Sequence, residues 1–380
     1  MFKKIAFIAF IIILSGLSAI TADRFFFPYF STTKFFSRYD FLKRSIEDVT
    51  VINKTEQIYV QETSTISKTI NQVASSVVSI TSYQPAALKI SKSAIEISPK
   101  IGTGIIVTSD GIIMTYSSAV DTSNSKYKIM TADGNSYDAE LIGVDSYSNL
   151  AFLKVVASNL PVVSFLNSDE IKPGEKIIAI GNGLGKYPNK FSSGLLSSFD
   201  PMYNLSGKAL SISEKLEGVF ETDANLEYDY VGGPIIDYSG QVIGITGSID
   251  KDGKTGFFQI PGNKIKTALD KAIKKELDTN PVLGIYYIPL TKSYALANNM
   301  QTEQGALIHS SSGQNGLAVI SGTPAAKAGL KIEDVIIAIN EDRVTLESSL
   351  PDLLYKHKKG EEIELTIIRD GTEIKEKIQL

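Results

Sequence analysis

The sequence predicts a mostly β protein behind an N-terminal membrane helix. From Val77 onward, short apolar runs alternate with turn signals, and three Asp-Gly dipeptides stand between such runs as they do in β-hairpins, at Asp110-Gly111, Asp133-Gly134 and Asp252-Gly253. Many short strands over about 200 residues, without long amphipathic helices, indicate an all-β barrel or sandwich. The one strong helix, from Asn263 to Leu277, is expected to close this β region.

Composition narrows the classes of function. A chain of 380 residues, 43% hydrophobic and 21% charged, is long enough for two or three globular domains. The net charge of −4 means that the chain has no excess of basic residues, so nucleic acid is not expected as a partner. Because the chain has no cysteine, it has no disulfide, thiolate nucleophile or thiolate metal site. We expect neither a metal nor another cofactor.

The N-terminus carries a candidate membrane span. Lys3 and Lys4 precede an apolar run from Ile5 to Ala22, which is about the minimum length for a transmembrane helix. The positive-inside rule then places the N-terminus in the cytoplasm and the rest of the chain outside it, in a periplasm or at a cell surface. A cleavable signal peptide is the alternative, but its small-residue rule is only half met at Ala22. We predict that residues 1–23 are an uncleaved single-pass anchor in the cell membrane.

An aromatic segment follows the apolar run. About half of residues 24–41 are Phe or Tyr, with basic residues among them, a composition that suits the headgroup zone of a membrane. Residues 42–64 are more polar. We therefore predict that residues 24–64 form an aromatic juxtamembrane collar and a stalk.

The stretch from Glu221 to Gly244 is the most informative part of the chain. It contains Thr222-Asp223-Ala224 and then Gly232-Gly233-Pro234 before an apolar strand. With Gly102-Thr103-Gly104 further upstream, these motifs resemble the framework of HtrA/DegP-type serine proteases over residues 65–277. The resemblance implies a trypsin-like double β-barrel for this domain.

The same resemblance indicates that the catalytic residues have been replaced. Ser118, Asn149 and Val231 occupy the positions that match the histidine, the aspartate and the serine of the family. Acyl transfer needs a hydroxyl to attack, an imidazole to accept its proton and a carboxylate to orient the imidazole. Valine has no nucleophilic atom, and both histidines, His309 and His357, lie outside residues 65–277. We therefore expect no catalytic residue and a pseudoprotease.

Other catalytic arrangements have weaker support in this domain. Ser117 or Ser118 could act with a buried lysine of lowered pKa, although no motif supports such a dyad.

The segment from Tyr228 to Tyr230 replaces a proline, a glycine and an asparagine of the family pattern, so we expect a collapsed or plugged cleft. The nearby carboxylates are expected to be solvent-facing turn residues, namely Asp223, Glu227 and Asp229.

Residues 282–380, after a linker at 278–281, form a second unit. The segments PAAKAGL at 324–330 and DVIIAIN at 334–340 resemble the PDZ domain of HtrA proteins. The resemblance implies an α+β fold that binds the C-terminus of an extended peptide as an added strand, with its carboxylate held by backbone amides.

The expected peptide-binding residues come from two segments. The carboxylate loop is Val282, Leu283, Gly284 and Ile285, and the other wall of the groove is a helix from Ser348 to His357 with Leu350, Leu353 and Leu354. His357 is expected to be a surface histidine at the end of this helix, with a ligand contact as the alternative. His309 is expected to be structural.

These expectations combine into one function. The chain would be a membrane-anchored, extracytoplasmic HtrA-like pseudoprotease that binds C-termini or unfolded segments of exported proteins, or co-assembles with an active relative and regulates it. The family resemblance also implies a homotrimer, in which case the aromatic residues of 24–41 could pack between subunits. The alternatives are an active HtrA-like serine endopeptidase in protein quality control and a structural envelope protein whose domains are spacers.

Overall fold

A computed structural model describes residues 2–22, 26, 67–84, 99–123, 125–183, 189–251, 253–312 and 317–380. The chain divides into two compact units, Met1–Lys68 and Thr69–Leu380. Apart from Phe26, the predicted collar and stalk at 24–64 lie outside the described residues.

The first unit contains helix α1, Phe2–Thr21. Its segment Lys3–Thr21 is long and apolar enough to cross a membrane, a property that a signal sequence near an N-terminus shares. Its described side chains are exposed, including Phe7, Phe10 and Leu14. The apolar helix predicted from the sequence is therefore present.

The second unit begins with helical residues 69–74 and continues into a closed six-stranded barrel. The strands follow the order β1-β2-β3-β6-β5-β4 around the barrel, and all neighbours are antiparallel. Alternating apolar side chains such as Ile80, Ile113 and Leu153 fill its interior. The strands are β1 Val77–Tyr83, β2 Lys100–Ile106, β3 Ile112–Tyr116, β4 Lys126–Met130, β5 Ser136–Val144 and β6 Leu150–Val155.

A second closed barrel follows in the order β10-β13-β12-β11-β7-β8. Ile177, Phe220 and Ile235 belong to its core. One short strand, β9 at Ser211–Ile212, leaves this barrel and pairs elsewhere. The barrel strands are β7 Lys176–Gly181, β8 Lys190–Asn204, β10 Glu217–Thr222, β11 Pro234–Ile236, β12 Val242–Lys251 and β13 Lys254–Pro261.

The predicted turns and helix are present. Gly111, Gly134 and Gly253 all have positive φ and lie in the hairpin connections β2–β3, β4–β5 and β12–β13. Helix α2 runs over Gly262–Lys274 and ends at Lys275, whose left-handed backbone (φ 58°) stops the helix before the predicted Leu277.

The C-terminal part is an α+β unit built on a sheet with strand order β19-β18-β16-β15-β14-β9, where β17 pairs with β16. The core of this unit includes Ile336, Leu365 and Leu353. Its strands are β14 Tyr286–Pro289, β15 Ala306–Ile308, β16 Val335–Ile339, β17 Asp342–Arg343, β18 Glu362–Arg369 and β19 Thr372–Gln379, and its helices are α3 Lys292–Ala297, α4 Pro324–Lys327 and α5 Leu350–Tyr355. The predicted fold class, a double β-barrel followed by an α+β domain behind an apolar helix, is confirmed.

Helix α5 is attached to both barrels. Its Asp352 forms an ion pair with Lys264 of α2 at 2.9 Å and accepts a hydrogen bond from Tyr147 of the first barrel. Tyr355 stacks on Tyr147 with ring centroids 4.0 Å apart, and Lys271 of α2 lies over the Tyr355 ring. The C-terminal domain is thus held against the barrels by an aromatic and charged interface.

Candidate functional site

The three positions matched to the catalytic residues lie at element ends beside the junction of the barrels. Ser118 belongs to a 3-10 turn that follows β3, Asn149 precedes β6, and Val231 follows a second 3-10 turn. The Ser118 hydroxyl is 2.9 Å from the hydroxyl of Ser248, which lies on β12 in the second barrel. A serine thus pairs with another serine where the family pattern has its imidazole.

Asn149 has a tyrosine and a lysine as its side-chain partners. Its Nδ2 donates to the Tyr116 hydroxyl at 3.3 Å, and its Oδ1 accepts from Lys215 Nζ at 2.7 Å. The Asn149 carbonyl accepts from the Ser117 amide at 2.8 Å, which ties this position to the turn that carries Ser118. A cation therefore lies beside the position where a carboxylate would orient an imidazole.

Val231 is fully buried, and its backbone amide is already bonded. The amide donates to the Tyr228 carbonyl at 3.1 Å, which closes the 3-10 turn Tyr228–Tyr230. In a trypsin-like site, backbone amides around the nucleophile bind the oxyanion of the tetrahedral intermediate. Here the amide at the nucleophile position points back into its own turn.

Contacts on several sides hold this turn. Tyr228 donates its hydroxyl hydrogen to the Ser118 carbonyl at 3.0 Å, across the junction of the barrels. The Asp229 carbonyl accepts from Thr103 Oγ1 at 2.6 Å, and its carboxylate lies 2.5 Å from Lys190 Nζ. That carboxylate raises the pKa of Lys190 above its ordinary value. The turn is therefore a fixed part of the structure.

The acidic residues of this region have structural partners. Asp223 Oδ1 accepts from the Leu195 amide at 2.6 Å, and Glu227 lies 3.2 Å from Lys190 Nζ. Within the described part of the chain, no group of three or more histidine, aspartate or glutamate residues could hold a metal ion.

Lys215 is a candidate amine for a serine–lysine pair. Burial lowers the pKa of Lys215, but its Nζ donates to Asn149 Oδ1 and, at 2.6 Å, to the Ser146 carbonyl. The Ser118 hydroxyl pairs with Ser248 instead. The amine and the hydroxyl therefore belong to different hydrogen-bonded pairs.

The second candidate site is the loop Val282 to Ile285 in the C-terminal domain. The amides of Leu283 and Gly284 donate to Glu214 Oε1 at 3.0 and 2.7 Å. Gly284 has φ +85°, and a Cβ at this position would lie 2.3 Å from the side chain of Thr323. Only glycine fits there, and the loop presents converging amides that already hold a carboxylate.

The remaining predicted groove residues differ in burial. Leu350, Leu353 and Leu354 of helix α5 are buried in the domain core, as are Leu283 and Ile285 of the loop. Leu354 also lines a cavity of about 260 Å³ together with Val282, Pro351 and Tyr355.

The two histidines lie away from the barrels' junction. His357 Nδ1 is 2.8 Å from Glu361 Oε1, and this contact lowers the pKa of Glu361. His309 is half-buried and follows β15.

The sequence gives no local indication that Ser213 and Glu214 contact the loop Val282 to Ile285. They lie about 70 residues before the loop that they contact. A two-residue strand has no periodicity, and a serine and a glutamate in a polar segment are typical of any exposed loop. Nothing local in the sequence predicts this pairing.

Comparison with known protein families supports both the barrel domain and the C-terminal domain. The profile of the trypsin-like peptidase domain matches residues 102–245, and that of the PDZ domain matches residues 281–380. The chain is 32% identical over 274 residues to a probable periplasmic serine endoprotease DegP-like of Chlamydia muridarum, covering 71% of this chain and 52% of that relative. The chain thus spans about half the length of this relative.

Shorter relatives are covered more fully. Serine protease Do-like HtrA of Bacillus subtilis is 30% identical over 336 residues, covering 84% of this chain and 73% of the relative. The protein of the same description from Lactococcus lactis subsp. cremoris is 30% identical over 352 residues, with 85% and 84% covered.

Solved structures share the fold. HtrA-type protease AlgW with tripeptide superposes with a TM-score of 0.65 at 22% identity, covering 83% of this chain and 96% of that one. AlgW with decapeptide gives a TM-score of 0.62 at 21% identity, with 83% and 97% covered. By its relatives, its two barrels and its C-terminal PDZ domain, the chain belongs to the HtrA family.

Proposed function

We propose that this chain is a noncatalytic member of the HtrA family that acts by binding peptides. The observation that carries the proposal is the fully buried Val231 at the nucleophile position. Ser118 and Asn149 do not compensate for the missing nucleophile, and the sequence has no histidine in the barrel domain. The retained turns and cores preserve the fold without its chemistry.

Each catalytic requirement is unmet at the matched positions. Val231 offers no hydroxyl, Ser118 offers no base near neutral pH, and Asn149 is bonded to the cation of Lys215. A site that lacks only its triad can retain an acceleration of about 10³ to 10⁴ over water, but this depends on an intact oxyanion hole. Because the Val231 amide is bonded within its own turn, we expect that remnant to be lost as well.

The PDZ domain supports the binding role. Its loop directs the Leu283 and Gly284 amides at a carboxylate, which is the group at the end of every unblocked peptide. AlgW, a relative in fold, has been solved with a tripeptide and with a decapeptide. We infer that the ligands are free C-termini or unfolded segments of exported proteins.

The N-terminal helix supports a place of action outside the cytoplasm. Lys3 and Lys4 precede an apolar helix of spanning length, and related proteins are named as periplasmic. We propose that residues 1–23 anchor the chain in the cell membrane with its domains outside the cytoplasm. Co-assembly with an active relative, which the chain would then regulate, is the regulatory form of the same proposal, and a homotrimer is the alternative assembly.

The catalytic part is tested with the full chain in detergent micelles. Unfolded casein and a serine-directed fluorophosphonate are offered to the unmodified chain, with an active serine protease as the positive control. We expect no cleavage and no labelling. Cleavage that the fluorophosphonate abolishes, and that a mock purification lacks, would contradict the proposal and establish the active endopeptidase instead.

The binding part needs a separate measurement. The probe is a fluorescent peptide pool with last residues Val, Leu, Ile or Phe, prepared both with free carboxylates and as amides. Binding that is lost on amidation supports recognition of C-termini. Absence of binding by both the unmodified chain and Glu214→Ala, which frees the Leu283 and Gly284 amides, supports the spacer role instead.

A further inference from the structure

The PDZ sheet contains a strand that the PDZ domain does not supply. Strand β9 pairs antiparallel with β14, with Ile212 opposite Tyr286 and Ser211 opposite Tyr287. Its position at the end of the order β15-β14-β9 is the sheet edge beside the carboxylate loop. An external peptide that added a strand to this edge would take the place of β9.

The residues that follow β9 continue this pairing into the loop. The Ser213 amide donates to the Ile285 carbonyl at 3.2 Å, and the Ser213 hydroxyl accepts from the Ile285 amide at 3.2 Å. The Glu214 carboxylate accepts hydrogen bonds from the amides of Leu283 and Gly284, the two loop residues before Ile285. An extended backbone that ends at a carboxylate is also what a C-terminal peptide presents.

The segment is held in place from the barrel side. Asn204 Nδ2, at the end of β8, donates to the carbonyls of Ile212 and Lys215 at 3.3 and 3.1 Å. Ser211 donates its hydroxyl hydrogen to Glu217, a buried residue at the start of β10. The second barrel therefore presents residues 211–214 in an extended form that fits the groove.

The internal segment leaves one part of the groove unfilled. Next to Ser213 and Glu214 lies the cavity of about 260 Å³, whose apolar lining includes Val282, Pro351 and Leu354. A peptide with an apolar last side chain would fill this cavity and also present its carboxylate to the loop. This additional burial gives an external C-terminus an advantage that Ser213 and Glu214 do not have.

We propose that residues 211–214 are an internal ligand of the PDZ groove, which a C-terminal peptide with an apolar last residue must displace in order to bind. The inference rests on the proposed peptide-binding function and adds its regulation. A tethered segment competes at a high effective concentration. The apparent Kd of the external peptide is therefore its intrinsic Kd divided by the fraction of molecules whose groove is open.

The first test removes the carboxylate of the internal ligand. Glu214→Ala in the full chain, in detergent micelles, should lower the Kd of the free-carboxylate peptide pool about tenfold or more. Glu214→Gln, which keeps the side-chain length, should act in the same direction. The matched control is Glu373→Ala, an exposed glutamate on β19 at the opposite edge of the sheet. A Kd that is unchanged in both Glu214 variants overturns the inference.

The second test locks the segment in place. Ile212→Cys combined with Tyr286→Cys joins directly opposed residues of an antiparallel pair, whose spacing suits a disulfide. Because the chain has no other cysteine, no other intramolecular disulfide can form. The control disulfide, Glu364→Cys with Lys377→Cys, joins β18 to β19.

The oxidised lock should bind the peptide pool at least tenfold more weakly than the reduced protein, while the control should not change on reduction. Equal binding by the oxidised and reduced forms of the lock overturns the inference and leaves the proposed function intact. If the pool binds neither the Glu214 variants nor the reduced protein, the proposed function itself fails. The two failures are therefore distinguishable.

Amide hydrogen exchange tests the resting contact without any peptide. The Leu283 and Gly284 amides should be protected in the unmodified chain and should lose at least tenfold in protection in Glu214→Ala. The Ile285 amide, which is bonded to Ser213, should change less. Rapid exchange of the Leu283 and Gly284 amides in the unmodified chain contradicts the internal ligand.

Discussion

Glu217 is a buried carboxyl group at the meeting point of the second barrel and the PDZ sheet. It is 2% exposed and accepts hydrogen bonds from Ser211 and Tyr287. Burial raises its pKa from 4.5 to about 7, and the charge of Asp352 adds to the rise, while the two hydrogen bonds and Lys264 oppose it. At neutral pH this residue is therefore close to its titration midpoint.

The pKa of Glu217 predicts a pH-dependent stability. The folded chain binds this proton more tightly than the unfolded chain, so the contribution is fully present below pH 4.5 and is lost as the pH rises through about 7. Relative to Glu217→Gln, the unmodified chain should lose up to about 3 kcal/mol of unfolding free energy between pH 4.5 and pH 8. Urea unfolding at several pH values measures this difference. A difference that stays constant with pH would count against the raised pKa.

The catalytic positions show which residue-level properties a sequence can reveal. The match of Ser118, Asn149 and Val231 to the catalytic positions is inferred from the framework motifs around them. The absence of a hydroxyl at Val231, and of histidine from residues 65–277, is read directly from the sequence. The direction of the Val231 amide and the Lys215 partner of Asn149 depend on backbone angles and on contacts between distant segments. No local pattern encodes those contacts.

At the scale of elements, the 3-10 turn Tyr228–Tyr230 lies between the two barrels, in contact with Ser118. The Val231 amide donates its hydrogen bond within this turn, and the turn contacts Ser118, Thr103 and Lys190. The three matched positions lie outside Tyr228–Tyr230. We therefore expect this turn to obstruct catalysis even when the three catalytic residues are restored.

Two engineered variants distinguish the effect of the missing catalytic residues from the effect of the turn. The triple variant with Ser118→His, Asn149→Asp and Val231→Ser should remain close to inactive on casein. Adding Tyr228→Pro, Asp229→Gly and Tyr230→Asn restores the family pattern of the turn and should raise the rate of fluorophosphonate labelling about 10²-fold or more, the scale associated with an oxyanion donor. Circular dichroism confirms folding of both. A triple variant that is already as reactive as the sextuple variant would show that the turn is no obstacle.

Elements were predictable where local chemistry determines them. The Asp-Gly hairpins and helix α2 follow from turn residues and from a 3.6-residue periodicity over thirteen positions. Strand β9 has two residues, and it joins a sheet whose next strand lies more than 70 residues later in the chain. Its pairing depends on how the PDZ domain rests against the second barrel, which is a tertiary property.

At the scale of the whole molecule, helix α5 connects the peptide groove to both barrels. Asp352 pairs with Lys264 of α2 and accepts a hydrogen bond from Tyr147, two residues before Asn149. The side chains of Lys264 and Asp352 are only 17% and 20% exposed. A partly buried charged pair is costly to break from one side, because the other charge is left without its partner.

Asp352→Asn should therefore destabilise the chain by about 1.5–3 kcal/mol, the range for hydrogen bonds to charged groups. The matched control is Asp342→Asn, which removes an ion pair with Lys356 whose side chains are 65% and 60% exposed; its effect should stay below about 1 kcal/mol. Urea midpoints of the two variants provide the comparison. Equal effects would show that the contacts of α5 with the barrels contribute no more than a surface ion pair.

The N-terminal helix determines how the chain should partition between the membrane and soluble fractions. Lys3–Thr21 is of spanning length and carries its charges at the N-terminal end, so an uncleaved anchor should resist extraction by alkaline carbonate. The intact mass of the purified chain should include residues 1–23. As a control, Ile11→Lys with Ile12→Lys places two charges in the middle of the span, which should release the chain from the membrane because each costs about 2.5–3.5 kcal/mol there. A mature chain that begins after Ala22 and appears in the soluble fraction would identify the segment as a signal peptide.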